Sequence, residues 1–269
     1  MVTDYWRKQQ PKRPLFDEVL WSKPERRDQS GRLTIVGGNS QGFWPVASAY
    51  QVARRTGVGE IRVIMPDALK NKLPASVTYQ LDDLMLAPSN PSGGLALSAK
   101  KYLEVAANWS SQMLFIGDNG ANAETAQLLE KFISDPDYLD TVITVARDTV
   151  DLLVYDAEMI LNRVNCNIVS SLAQFQKLAR AVYYPRVITF SQGIKQIVET
   201  LHKFTITYGA TITLFHDGNL IVARDGQVVS QAFDEPMRIW NGEIPTREAS
   251  WLVWQTDPIK AIATSWTEL

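Results

Sequence analysis

Two glycine-containing turns follow predicted β-strands, at positions where a ligand could approach the main chain. Gly37-Gly38-Asn39-Ser40 follows the first of these strands, and Gly117-Asp118-Asn119-Gly120 follows the third. In an open α/β sheet, ligands bind outside the carboxyl ends of the strands, where amides beside glycine are unhindered. The sequence therefore predicts one substrate-binding cleft lined by Gly38, Asn39, Gly117 and Asn119. The alternative is that the glycines only permit tight turns and that the Asp-Asn pair only caps a helix.

A carboxylate near the start of a late predicted helix could act as a general base. Pro245-Thr246-Arg247-Glu248 stands at the beginning of the helical pattern at 247–255. Helix N-termini attract anions, and they lower the pKa of a carboxyl group placed there. We predict Glu248 as the candidate catalytic base, ionised at neutral pH and facing the cleft. The alternative is structural, because acidic residues are favoured in a first helical turn and Thr246 is a typical N-cap residue.

The composition argues against several other chemistries. The chain has two histidines, His202 and His216, and one cysteine, Cys166, which leaves too few ligands for a His/Cys zinc site and excludes an intramolecular disulfide. We therefore predict no metal site built from histidine and cysteine ligands. Neither GxGxxG nor GxxxxGK[ST] occurs, so Rossmann and Walker A sites are unsupported. The formal net charge of -2 gives no electrostatic basis for binding nucleic acid or an anionic membrane.

The elements that must position these residues alternate between strand and helix along most of the chain. Strands are predicted at 32–36, 60–65, 113–116, 141–145 and 167–169, with helices at 45–56, 95–107, 124–134, 170–181 and 192–208. Strands with a period of two follow at 211–215, 219–223 and 227–230, joined by Asp-Gly turns. The pattern predicts a three-layer α/β/α domain whose mostly parallel sheet has an antiparallel edge at 211–230. We expect a single domain over residues 1–269, in which residues 1–14 form a polar N-terminal arm.

The sequence also bears on the cellular location of the protein. No apolar run approaches the roughly 20 residues that a transmembrane helix needs. Residues 1–14 are not followed by the apolar segment of a secretory signal. The single cysteine fits a reducing compartment. We therefore expect a cytoplasmic protein with no membrane partner.

One long segment is similar to a known family. It begins with Gly31-Arg32-Leu33-Thr34-Ile35-Val36-Gly37-Gly38-Asn39-Ser40, continues through a helix of small residues, and ends with Arg55-Thr56-Gly57-Val58-Gly59-Glu60-Ile61-Arg62-Val63. This segment resembles the opening of the NAD(P)H-hydrate dehydratases, a family of the ribokinase-like superfamily. Two later segments are also similar to that family. They are Phe115-Ile116-Gly117-Asp118-Asn119-Gly120-Ala121, where the family carries a Gly-Pro-Gly-rich turn, and Tyr208-Gly209-Ala210-Thr211-Ile212-Thr213-Leu214.

The resemblance implies a ribokinase-like fold and the ADP- or ATP-dependent dehydration of a hydrated nicotinamide cofactor, with Mg²⁺ as a further candidate cofactor. The family binds nucleotide phosphates at a Gly-Thr-Gly-Asp helix N-terminus, where the Asp is the catalytic base. At the matching positions this chain has Thr246 and Glu248, so the resemblance implies a nucleotide-binding role for Thr246 and a catalytic role for Glu248. It likewise assigns Gly218 to the nucleotide-side hairpin.

Several polar motifs of the family are replaced in this chain. Pro245 and Arg247 stand where the family has glycines, which removes one N–H donor and adds a bulky side chain near the expected phosphate position. One hypothesis is a nucleotide-dependent lyase, or a sugar-kinase-like phosphotransferase, that uses Glu248 as base. The other is a pseudoenzyme: a non-catalytic relative that has lost or altered its activity and keeps the fold to bind a ligand or partner. We favour the second, and under both we expect a nicotinamide-nucleotide-like small molecule as ligand and a homo-oligomer.

Overall fold

Ten strands form one mixed sheet in the computed structural model, which describes residues 4–269. In chain order they are β1 (Trp6–Gln9), β2 (Arg32–Gly37), β3 (Glu60–Pro66), β4 (Asp83–Ala87), β5 (Gln112–Gly117), β6 (Ile143–Ala146), β7 (Cys166–Ser171), β8 (Thr211–His216), β9 (Asn219–Arg224) and β10 (Gln227–Ala232). Their order across the sheet is β1-β10-β9-β8-β7-β6-β5-β2-β3-β4. Only β8–β9 and β9–β10 are antiparallel among the described pairs.

Helices cover both faces of the sheet, which confirms the predicted α/β/α layering. They are α1 (Trp44–Thr56), α2 (Ala75–Thr78), α3 (Lys100–Trp109), α4 (Ala123–Ile133), α5 (Asp148–Leu152), α6 (Ala157–Asn162), α7 (Leu172–Ala181), α8 (Ile194–Thr207), α9 (Met237–Trp240), α10 (Glu243–Leu252) and α11 (Pro258–Ser265). Apolar side chains of α1, α10 and α11 pack on one face. Those of α3, α4, α7 and α8 pack on the other. The sheet is thus buried on both sides, as a mostly parallel sheet requires.

Local sequence signals define the helix ends that border the carboxyl edge of the sheet. Ser171 caps α7, since its Oγ accepts from the Gln174 N–H at 3.0 Å while Gln174 Oε1 accepts from the Ser171 N–H at 3.0 Å. This reciprocal pair is a capping box, and it fixes the start of α7. At α1, Pro45 occupies the first turn and Gly57 ends the helix with a φ of 108°.

The N-terminal segment that we predicted as a polar arm supplies an edge strand instead. β1 pairs in parallel with β10, so the antiparallel strands 211–230 are covered by a further strand and do not form the edge. The Gln9 side chain is buried, and its Nε2 donates to Gln231 Oε1 at 2.8 Å and to the Ala263 carbonyl at 2.5 Å. Polar side chains here satisfy one another inside the protein, which the hydrophobic pattern of residues 4–14 does not reveal. The opposite edge strand, β4, was also absent from the prediction.

The order of the strands places a switch point between β2 and β5. From β2 the chain proceeds outward through β3 and β4, then returns to β5 on the other side of β2. Ligands bind at such points in open α/β sheets, because the loops on either side diverge there. The two predicted glycine turns flank this position. No helix within residues 4–269 is long and apolar enough to cross a membrane.

Candidate functional site

The two glycine turns contact each other directly at the switch point. The Gly38 N–H donates to the Gly117 carbonyl at 2.9 Å, and Asn39 Nδ2 donates to the Asp118 carbonyl at 2.5 Å. The structure therefore brings Gly38, Asn39 and Gly117 together, as the predicted cleft requires. These hydrogen bonds also occupy part of the main-chain surface that a ligand would use.

Asp148, at the start of α5, holds the turn after β5. Its carboxylate accepts from the Asp118 N–H at 2.6 Å and from the Asn119 N–H at 2.8 Å. Gly117 has a φ of 96°, and a Cβ there would lie 2.2 Å from Asp148 Oδ1, so this position requires glycine. Burial raises the pKa of Asp148, and its two amide hydrogen bonds oppose that rise.

Asn119 is 3% exposed, which places it below the surface. Its Nδ2 donates to Thr149 Oγ1 at 2.8 Å, and its N–H is bound by Asp148. The main-chain N–H and one N–H of the side-chain amide are therefore used inside the protein. In this conformation Asn119 supports the turn from below the surface.

Arg147, which we did not predict as a site residue, bridges two parts of the carboxyl edge. Its Nη2 lies 2.8 Å from Asp118 Oδ1, and its Nη1 donates to the Trp240 carbonyl at the end of α9. The residue has a φ of 57° and a ψ of -137°, a backbone conformation that costs of order 1–3 kcal/mol for a residue other than glycine. Gln174 Nε2 supports it by donating to the Arg147 carbonyl at 2.7 Å. The Arg147 guanidinium thus links the turn after β5 to the segment that leads to α10.

Helix α10 begins earlier than the sequence indicated. We expected its N-terminus at Pro245-Thr246-Arg247-Glu248, whereas the first helical residue is Glu243 and the N-cap is Gly242. Gly242 has a φ of 91°, and a Cβ there would lie 2.9 Å from Ile116 Cδ1, so the helix starts against the end of β5. Asn241 Oδ1 accepts from the Glu243 N–H at 3.0 Å. The Asn-Gly turn signal immediately before an acidic residue could have identified this start.

Glu243, the carboxylate at the start of α10, is held by two arginines. Its Oε1 lies 2.6 Å from Arg238 Nη2 and 3.2 Å from Arg247 Nε. Burial by itself would raise the pKa of Glu243, but the hydrogen bonds and charges of both arginines hold it below its usual range. The carboxylate is therefore ionised and paired, and as paired it is a weak proton acceptor.

Glu248 lies within α10 and is completely buried. It is therefore not at a helix N-terminus and does not face a cleft, as we had predicted it would. Its Oε2 accepts from Asn167 Nδ2 at 2.9 Å and its Oε1 accepts from Trp266 Nε1 at 3.0 Å. Burial raises the pKa of Glu248 to about 7, although these hydrogen bonds act in the opposite direction. The predicted lowering of its pKa by the helix dipole does not occur, because the residue stands in the second turn of the helix.

The two predicted nucleotide-binding residues lie in different environments. Thr246 is fully buried, and its Oγ1 donates to the Gly242 carbonyl at 2.6 Å. Gly218 is exposed in the β8–β9 turn and lines a cleft of about 740 Å³, which we call the hairpin cleft. Other residues that line this cleft include Lys12, Phe215, Phe233, Asp234, Glu235, Arg238 and Trp266. A volume of this size is within the range of small-molecule sites.

The described residues contain no preformed metal centre. Within residues 4–269, no three His, Cys, Asp or Glu side chains come together as a ligand set. Asp234 and Glu235 line the hairpin cleft side by side. Mg²⁺ in nucleotide sites is commonly held by one or two carboxylates together with the phosphates, so these two residues are the ones that could hold it.

Comparison with solved structures identifies the fold. A ribokinase-like superfamily protein from Enterococcus faecalis V583 superposes with a TM-score of 0.73 and 14% identity, over 99% of this chain and 87% of that chain. An ADP/ATP-dependent NAD(P)H-hydrate dehydratase from Bacillus subtilis, co-crystallised with ATP and Mg²⁺, superposes with a TM-score of 0.59 and 12% identity, over 94% and 85%. A phosphomethylpyrimidine kinase from Clostridium difficile 630 gives a TM-score of 0.51 and 10% identity, over 87% and 96%.

No protein-family model matches the chain, and no curated protein matches its sequence. The similarity therefore lies in the three-dimensional structure, at 10–14% sequence identity. The chain therefore has the ribokinase-like fold, as the resemblance of its first β/α unit implied.

Proposed function

We propose that this protein is a non-catalytic member of the NAD(P)H-hydrate dehydratase-like family, which binds ADP or ATP in the hairpin cleft. The observation that carries this proposal is the ion pairing of Glu243 with two arginines. The carboxylate at the start of α10 is locked between Arg238 and Arg247, and Glu248 is enclosed in the core. A general base must reach its substrate in a form that accepts a proton, and neither carboxylate does so in this conformation.

The start of α10 also offers few donors to phosphate oxygens. Asn241 already accepts from the Glu243 N–H, and Pro245 has no N–H. Phosphate binding at a helix N-terminus depends on free amides in the first turn. The start of α10 can therefore stabilise a transferring phosphoryl group or a leaving water only weakly. This supports nucleotide binding without turnover.

The residues that line the hairpin cleft are better suited to binding an adenine nucleotide than to catalysing the family's reaction. Phe215 and Phe233 offer aromatic surface and Lys12 offers positive charge, while Arg238 is already paired with Glu243. Exposed Gly218 leaves open space, since a Cβ there would meet nothing within 4 Å. Asp234 and Glu235 would hold a Mg²⁺ carried by the nucleotide phosphates, and the metal would supply charge neutralisation there.

The proposal is tested by binding and turnover measured on the same preparation. We expect ADP or ATP with Mg²⁺ to raise the melting temperature, and Lys12→Glu to weaken nucleotide binding by about tenfold through loss of attraction to the phosphates. Lys195→Glu, an exposed charge change on α8, is the matched control and should bind as the wild type does. No ADP- or ATP-dependent loss of hydrated NADH or NADPH is expected. Absence of any nucleotide response would overturn the binding proposal.

A second candidate is a nucleotide-dependent lyase or phosphotransferase with Glu243 as base. The observation that favours it is the position of Glu243 as the first residue of a ten-residue helix at the carboxyl edge. This activity would require ligand binding to separate Glu243 from its arginines. Turnover that is present in the wild type, lost in Glu243→Gln and retained in Glu248→Gln would establish it and disprove the non-catalytic assignment.

A further inference from the structure

A second, largely apolar pocket lies beside α4 and α5. It has a volume of about 490 Å³, and its lining includes Ala123, Ala126, Leu152 and Leu153. None of the residues predicted to bind substrate or nucleotide lines it. Tyr155 also lines the pocket and is 100% exposed, so its ring has no intramolecular partner that would account for its position. A pocket of this volume and apolar character is suited to a small molecule.

The ionisable residues that line this pocket are all acidic. They are Glu130, Asp148, Asp151 and Asp156, and no Lys, Arg or His is among its described lining residues. Asp151 is paired with Lys177 Nζ at 2.5 Å, and Asp148 is bound by two main-chain amides. Glu130 and Asp156 form no ion pair within residues 4–269. The pocket therefore combines apolar walls with a net negative border.

We propose that this α4–α5 pocket binds a small organic cation with an apolar body, such as a quaternary ammonium compound. The apolar walls would bury its alkyl groups, and the carboxylates would attract its charge. Tyr155, whose ring is exposed at the border of the pocket, would add a cation–π contact. The negative charge of the border disfavours an anionic ligand. This assignment is independent of nucleotide binding in the hairpin cleft.

The charge preference is tested with two probes of the same shape. Choline and 3,3-dimethylbutan-1-ol differ in that a carbon replaces the quaternary nitrogen, so only the first carries a charge. Titration followed by NMR or calorimetry should show saturable choline binding that is about tenfold tighter than binding of the alcohol. Raising the salt concentration should weaken choline binding and leave the alcohol unchanged. Equal binding of both probes, or no choline binding at tens of millimolar, would overturn the proposal.

Variants locate the site. Tyr155→Leu and Asp156→Asn should each weaken choline binding by about three- to tenfold. Tyr79→Leu, which removes another exposed tyrosine outside the pocket, is the matched control. Both tyrosines are exposed, so these changes should leave folding intact, as thermal unfolding would verify. Wild-type choline affinity in both pocket variants would refute the site. Dissociation of an oligomer by Tyr155→Leu would show instead that the pocket is covered by a second copy of the chain.

Discussion

Glu248 shows how burial changes the role of a single carboxyl group. The residue lies in the core, where its oxygens accept from the side chains of Asn167 and Trp266. Asn167 Oδ1 is itself buried without a hydrogen-bond partner in the described chain. The two hydrogen bonds donated to Glu248 favour the ionised carboxylate, whereas burial favours the neutral acid. Burial is the larger effect and raises the pKa of Glu248 to about 7.

This gives a prediction for stability against pH. Because the pKa of Glu248 is higher in the folded protein than its ordinary value of 4.5, the native state binds the additional proton between about pH 4.5 and 7. Its contribution to the free energy of unfolding is present below pH 4.5 and is lost as the pH rises to about 7, amounting to about 3 kcal/mol. Glu248→Gln should remove this loss, so that the variant is more stable than the wild type at pH 8.

Urea unfolding at pH 5 and pH 8 measures the effect. Glu25→Gln, at an exposed position, is the control and should follow the wild type at both values. The prediction would be contradicted if the free energy of unfolding of the wild type rose between pH 5 and pH 8 relative to that of Glu248→Gln.

At the scale of elements, β1 and α10 determine where the borders of the candidate site lie. Helix α10 starts at Glu243 because Gly242 adopts a φ of 91° against the end of β5. Strand β1 adds to β10 because its buried Gln9 pairs with Gln231 and with the end of α11. The segment after β1 then reaches the hairpin cleft, to which it contributes Lys12. The N-terminal segment is therefore part of the candidate nucleotide site.

Gln9→Ala tests the attachment of β1. The change removes both Nε2 donors and the acceptor for the Leu15 N–H, which leaves the buried Gln231 Oε1 and the half-buried Leu15 N–H without these partners. The Ala263 carbonyl loses one of its two donors and keeps the Trp266 N–H. We expect the free energy of unfolding to fall by about 2–3 kcal/mol. Gln10→Ala, at an exposed neighbouring position, should change it by less than about 0.5 kcal/mol. Equal effects of the two changes in chemical denaturation would show that β1 contributes little to stability.

At the scale of the whole molecule, we expect the protein to form a homo-oligomer. Several large side chains are exposed over much of their surface, among them Trp21, Tyr79, Tyr183, Val187 and Phe190. A formal net charge of -2 provides little electrostatic repulsion between copies. Sedimentation velocity at tens of micromolar should therefore detect a species larger than 30.2 kDa. A single monomeric boundary over that range would contradict the expectation.

The sequence by itself determined the fold class and much of the element order. Alternation of apolar strands with amphipathic helices, followed by Asp-Gly hairpins, is a local signal that depends on residues close together in the chain. The first glycine turns were found in the same way, and Gly38, Asn39 and Gly117 do meet at the switch point. Parallel strands place their carboxyl ends on one edge, whereas the adjacency of β2 and β5 is set by the strand order of the folded sheet.

Only the tertiary structure decided which polar side chains are free to act. Glu248 and Thr246 have types suited to a helix N-terminus, yet packing of α10 against the sheet and α11 buries both. Arg147 carries no distinctive sequence pattern, and its partners Asp118 and Trp240 lie 29 and 93 residues away. Burial and ion pairing depend on which distant segments come together, and that is set by the packing of the layers. The sequence therefore located the edge that holds the site, while the packing determined the chemistry available there.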